Sequence, residues 1–196
     1  MEDPRFDRAL AAIDAANADD PTTVAIDGVE RPKELVHAEL MTRWVLELDP
    51  GADAAQLLAA RAHHIRRWEI PRSEYPDGRA GYLRWRAALK RRHAEEVGSI
   101  LADVNYDQAL IGRVQRLIRK DGLGTEAATQ THEDALCLVF MTMQFDDLIT
   151  RLGPDHTVGV VAKTLAKMSD RGRELALALP LSELGMSVVT RALAEG

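Results

Sequence analysis

The chain has 196 residues, 46% of them hydrophobic and 29% charged, with a net charge of −6. That length buries a core, and the lone cysteine, Cys137, excludes an internal disulfide. No apolar stretch approaches the ~20 residues that cross a bilayer, and an acidic chain of pI ≈ 5.5 argues against a nucleic-acid platform, because it repels a long polyanion everywhere outside one patch.

Strand-favouring residues are sparse while Ala, Leu, Glu and Arg abound, so an all-α fold is expected. Phe6, Leu10 and Ile13 mark one face of a first helix, ended by Asp19-Asp20-Pro21. Thr22 to Arg31 reads as irregular and carries the turn signal Asp27-Gly28. Pro32 suits the start of a second helix, with Leu35, Val36, Leu40, Trp44 and Leu48 at helical spacing; Asp49-Pro50-Gly51 stops it. A third runs from about Asp53 towards His64-Ile65. Pro71, Pro76 and Gly78 then enforce a loop.

From about Ala80 a long helix carries Tyr82, Trp85, Leu89, His93 and Val97 on one stripe, and Asp107 to Arg119 forms another. Thr131 is read as the cap of the next, with Asp134 three residues on in a capping-box pattern. That helix is apolar through Phe145, and Cys137 within it reads as a core thiol. Beyond Gly153-Pro154 come two or three shorter helices, which either cap the bundle or form a homodimer surface. The expected architecture is a single domain over 1–196, with a helical core at about 32–148 and a C-terminal extension at about 154–196. The opening Met1-Glu2-Asp3-Pro4 has no apolar signal core, and a cytoplasmic protein that does not enter the membrane is expected.

Charge is unevenly spread. Arg61 to His93 holds ten of the 25 Lys/Arg and only three acids, a local +7 that leaves −13 for the rest. An anionic ligand would go there. Arg66, Arg67 and Arg72 flank a Pro-rich loop beside the His63-His64 doublet, and planar guanidiniums grip phosphate or carboxylate with two prongs. With Trp68 they are the candidate substrate-binding residues, for a small phosphorylated or anionic ligand. The long helix adds Arg84, Arg86, Lys90, Arg91 and Arg92. Trp85, in register with Leu89 and Val97, reads first as core. Glu69 is either an acid in the chemistry or a partner for Arg66 or Arg72.

With thiolates absent, imidazoles and carboxylates are the ligands for Mn, Fe, Zn, Co or Ni. His37, His63, His64 and Asp134 are the candidate metal ligands, and His93 a fifth member. Each has an ordinary reading too: His37 as a hydrogen-bonded core histidine, Asp134 as a helix cap. Neighbours on a helix point about 100° apart, so His63 and His64 share a site only if the helix ends there. His132 and His156 read as surface or cap residues. Gly122-Leu123-Gly124-Thr125 is too short for a phosphate loop.

In this order the constellation resembles the HD-domain superfamily of metal-dependent phosphohydrolases, over roughly Pro32 to Leu148. The resemblance implies a lone His ligand at His37, a doublet His at His63, a later Asp at Asp134 and an additional His at His93. Position 64 is His where the doublet normally has Asp, which removes the carboxylate on which a bridged two-metal site relies. Ala-Ala-Arg-Ala-His-His-Ile-Arg-Arg-Trp-Glu-Ile-Pro-Arg at 59–72, Gly81-Tyr82-Leu83-Arg84-Trp85-Arg86 and Lys167-Met168-Ser169 also resemble a family of bacterial and fungal proteins catalogued as a domain of unknown function (4202). The reading is an HD-like helical bundle with one divalent metal ion. His93 orients the water, and the arginines hold a nucleotide or other small phosphoester. The competing readings are a non-catalytic HD-like module that binds an anion or a protein partner, and an RNA-associated protein.

Overall fold

The structure, a computed structural model, describes residues 3–194; Met1 and Glu2 of the opening tetrapeptide lie outside them. The fold is all-α apart from one short hairpin, and its described residues form two compact units.

The first unit, described residues 3–46 and 50–121, begins with α1 (Pro4–Ala18), whose N-cap Asp3 accepts the Arg5 N–H. Ile13 lies on its buried face. The stretch read as irregular is instead a hairpin, β1 (Thr23–Ile26) paired antiparallel with β2 (Val29–Pro32). Asp27 and Gly28, both at positive φ, make its two-residue turn. Next come α2 (Lys33–Leu48) and α3 (Ala54–Arg61), the latter opened by a capping box between Asp53 and Gln56. Two short 3₁₀ turns (Arg67–Glu69 and Arg72–Glu74) lead into α4 (Gly78–Asp103), and α5 (Gln108–Arg119) packs against α4 and α3. Leu58, Ile65, Leu89, Val97, Leu101, Val114 and Ile118 are buried in this unit. Each is an apolar side chain withdrawn from water at about 25 cal/mol per Å².

The second unit, described residues 47–49 and 122–194, contains α6 (Ala127–Met143), α7 (Phe145–Leu152), α8 (Pro154–Leu165), α9 (Asp170–Leu177) and α10 (Glu183–Ala194). Its buried apolar residues include Leu138, Met141, Phe145, Val158, Val161 and Val188, and the Cys137 thiol is buried with them. Helix α6 starts four residues before the expected cap. Thr131 is therefore interior, its hydroxyl bonded back to the Ala127 carbonyl, and Asp134 is in the second turn. Among the described residues no helix is long and apolar enough to cross a membrane.

Candidate metal centre

The start of α2 is fixed from outside. The Asp20 carboxylate accepts the Thr22 and Glu34 backbone N–H groups, both at 2.9 Å, and so satisfies an orphan donor of the first turn. Glu34 and His37, three residues apart, then lie on one face of the helix. Helix α3 ends at Arg61, and the chain turns through Ala62 to Arg66, which adopts a left-handed backbone (φ 45°). The His63-His64 doublet is thus in a turn rather than on a helix, which is what lets two adjacent side chains converge. Their ring centroids are 4.8 Å apart, and His64 stacks on His37 at 4.0 Å and 26°. His93, from the middle of α4, stands 6.1 Å from His64. His37, His63, His93 and Glu34 are all buried.

Hydrogen bonds fix the tautomer of His64. Arg67 Nη1 lies 3.3 Å from His64 Nε2, and a guanidinium only donates, so Nε2 is the bare, accepting nitrogen. The proton is then on Nδ1, which donates to Glu34 Oε2 at 3.1 Å. Burial holds His64 well below the usual imidazole range, helped by the neighbouring histidines and Arg67. Burial and the Arg67 charge likewise depress His93 to about 3, against a weak opposing pull from the Ile65 backbone carbonyl. Both rings are neutral at pH 7, the form in which histidine ligates a metal. Burial also raises the Glu34 carboxyl to about 7, with Asp20 adding to the rise and Arg67 and Lys33 opposing it.

Beside this cluster is a small pocket whose wall includes His63, His64 and His93 and four cations, Arg67, Arg86, Lys90 and Lys120, with no carboxylate among its lining residues. Arg86 and Lys90 are one turn apart on α4, and Lys120 is the left-handed C-cap of α5. Arg67 sits over the Trp85 ring, 4.8 Å from its centroid, and the Trp85 indole N–H donates to the Ile70 carbonyl at 2.9 Å.

The other expected binding residues are engaged elsewhere. Arg66 pairs with Glu96 at 2.7 Å and more loosely with Glu69, and Glu69 also pairs with Arg92. Glu69 is thus a partner for arginines. Arg72 donates to the Tyr75 and Pro76 carbonyls, stapling its own loop. Trp68 is half-buried and does not line the pocket. Asp134 belongs to the second unit. There its oxygens accept from the Ser169 N–H and hydroxyl and from Gln130, while the Ser169 hydroxyl oxygen caps α9 by accepting the Gly172 N–H. His132, read as a surface or cap residue, is buried within α6.

Among the described residues Glu34, His37 and His64 form a group whose ligand atoms lie within 4.8 Å of one another. Ligand atoms around a tetrahedral ion with bonds of about 2.1 Å are separated by about 3.4 Å, so a pair as wide as this must close by more than an ångström. Two imidazoles and one carboxylate suit a borderline divalent ion and leave a position open. Glu34 was not singled out in the sequence; its signal is the Glu-x-x-His spacing to His37, the same one-turn pattern by which helical bundles present ligands.

A helical protein with a buried histidine–carboxylate cluster beside a cationic pocket is the class that fold and site define. The chain belongs to the family described as Domain of unknown function (DUF4202), which matches residues 7–189. No curated protein and no solved structure matches it.

Proposed function

We propose that the protein is a metal-dependent phosphohydrolase acting on a nucleotide or other small phosphoester, on a divergent HD-like scaffold. The observation that carries this reading is that His64 belongs both to the ligand group and to the wall of the cationic pocket. An ion and an anion would therefore be neighbours. Glu34, His37 and His64 are the ligands, so the carboxylate comes from one turn before the lone histidine rather than from the doublet or from Asp134. Mn, Fe, Zn, Co and Ni all suit the set. A divalent ion held there supplies a Lewis acid that brings the pKa of water towards neutrality.

The chain's own residues do the rest. Arg67, Arg86, Lys90 and Lys120 gather the phosphate and offset charge as the P–O bond breaks. His93, neutral and too weak a base to hold a proton at pH 7, orients the attacking water through a ring nitrogen. Depletion of water around buried histidines strengthens each of these interactions. The test is release of inorganic phosphate from a panel of nucleotides and small phosphoesters with each metal supplied; the expected result is hydrolysis with at least one ion, lost in His37→Ala. No hydrolysis with any ion rejects the reading.

A second reading has its own support. The chain of hydrogen bonds Arg67–His64–Glu34 is complete without an ion, as suits a non-catalytic module that binds an anion in the pocket. In that case the histidines shape the pocket, and anion binding persists when metal is removed.

A further inference from the structure

Arg67 serves two places at once. Its Nη1 donates to His64 Nε2 at 3.3 Å, and the same side chain forms part of the pocket wall with Arg86, Lys90 and Lys120. His64 Nδ1 is committed to Glu34 Oε2 at 3.1 Å. Nδ1 is the ring nitrogen that faces Glu34 and so the one that could share an ion with it; while Arg67 donates to Nε2, the proton is kept on Nδ1 and that lone pair is not on offer. A guanidinium that donates to a neutral imidazole at 3.3 Å is in a weaker bond than one that donates to a dianionic oxygen. An oxyanion in the pocket therefore competes for Arg67 on favourable terms.

The surroundings of Arg67 bear on how it could leave His64. Arg67 lies on the Trp85 face, at 4.8 Å from the ring centroid, and Trp85 is tied to the Ile70 carbonyl. The guanidinium can shift over the ring towards the pocket while keeping its stacking. Its loop is held by the Arg72 bonds to the Tyr75 and Pro76 carbonyls and by the approach of Pro76 to α4 at Gly81, where a Cβ would come within 1.8 Å of the Pro76 carbonyl oxygen. The backbone is braced, so a displacement of Arg67 would fall to its side chain.

We infer that Arg67 couples the two sites: a tetrahedral oxyanion draws it off His64, lets the ring proton pass to Nε2 and leaves Nδ1 to a divalent ion beside Glu34, and so makes anion and metal bind cooperatively. This rests on the proposed metal site and adds an order to it, in which the ion is held firmly only when the substrate's phosphate is present. By linkage the ion tightens the anion by the same factor as the anion tightens the ion. Without its anion the site holds metal weakly, and Arg67 acts as a stand-in cation beside the imidazoles.

The test is equilibrium dialysis of the full chain against Co²⁺, bound metal being read by elemental mass spectrometry. Sulfate is the probe anion, because it stays soluble with cobalt, and chloride holds ionic strength constant. The expected result is a Co²⁺ affinity raised by sulfate on the order of tenfold, within the usual range of coupling between sites. In Arg67→Met, affinity without sulfate rises and the sulfate effect falls to about twofold or less. Arg86→Met removes the same charge from the same pocket but leaves the His64 bond, so the sulfate-free affinity rises less there than in Arg67→Met. Circular dichroism checks that both variants are folded, and if Arg67→Met is not, Arg67→Gln takes its place.

Cobalt bound equally well with and without sulfate overturns the coupling and leaves the metal site standing. A sulfate effect that survives intact in Arg67→Met overturns it too, since the anion then ligates the ion directly. Equal gains in Arg67→Met and Arg86→Met reduce the effect to general charge and also overturn it. No cobalt bound under any condition rejects the metal site itself.

Discussion

Glu34 Oε2 lies 3.1 Å from Nδ1 of His64, thirty positions later in the chain, and both side chains are withdrawn from solvent. The pair joins the first turn of α2 to the turn after α3. It holds a carboxyl raised to about 7 against an imidazole held well below its usual range. The imidazole is neutral, the form that ligates, and a divalent ion would take the place of the proton that the raised carboxyl tends to hold.

Replacing Glu34 by Gln keeps the shape and the hydrogen bond but removes the charge. The expected outcome is at least a tenfold loss of bound divalent ion with folding retained, read by elemental mass spectrometry and circular dichroism. Unchanged metal content would remove Glu34 from the ligand set.

Asp134 behaves as a brace for α9. Asp134→Asn leaves the Ser169 donors facing an amide, and Ser169→Ala removes the α9 cap; each is expected to cost about 1–2 kcal/mol in chemical denaturation, with metal content unchanged. Loss of metal in Asp134→Asn at full stability would return this residue to the ligand set.

The metal-free protein should lose stability in mild acid. His64 and His93 are neutral when folded and take up protons on unfolding below 6.5, so their contribution is full above that pH and declines as pH falls, for His93 down to about 3. Glu34 runs the other way: its contribution is present below 4.5 and is lost as pH rises to about 7. Each group alone gives a slope of about 1.4 kcal/mol per pH unit. Between 4.5 and 6.5 two histidines oppose one carboxyl, so the site's net slope is about that of a single group, with stability falling towards acid. Urea titrations of EDTA-treated protein at pH 5 and 6.5 measure it. In Glu34→Gln the opposing contribution is gone and the slope should be about twice as steep; an unaltered slope would contradict the assignment.

Gly81→Ala forces a methyl group into the Pro76 carbonyl, which is backbone and has little room to give. Loss of about 1–3 kcal/mol is expected, together with weaker sulfate binding, because the displaced loop carries the carbonyl that ties Trp85. Calorimetric titration of sulfate reads the second effect. Full stability with intact sulfate binding would show that the loop adjusts freely.

Much of the helical plan was legible because it depends on local spacing: Leu35, Val36 and Leu40 mark α2, and Pro50, Pro71, Pro76 and Pro154 mark breaks. The hairpin was not. Its strands have four residues each and stay largely exposed, too short for an alternating pattern, although Asp27-Gly28 showed the turn. The start of α6 was hidden because Glu126 makes no side-chain cap, while Thr131-x-x-Asp134 imitated one.

At the site, the doublet, His37 and His93 were readable as residue types beside a charge run. Which arginine faces the pocket was not, since it depends on distant partners. Glu96 takes Arg66 and the loop carbonyls take Arg72, leaving Arg67 with His64 and Trp85. Lys120 comes from α5, beyond the basic run, and only packing brings it to Arg86 and Lys90.

The central claim is that Glu34, His37 and His64 hold a divalent ion. Elemental mass spectrometry of gently purified protein, beside His37→Ala and a His63→Ala/His64→Ala double variant, tests it most directly. The account predicts close to one ion per chain in the parent after divalent ions and sulfate are supplied, and near none in either variant. No ion in the parent under those conditions, or equal content in all three, would contradict it.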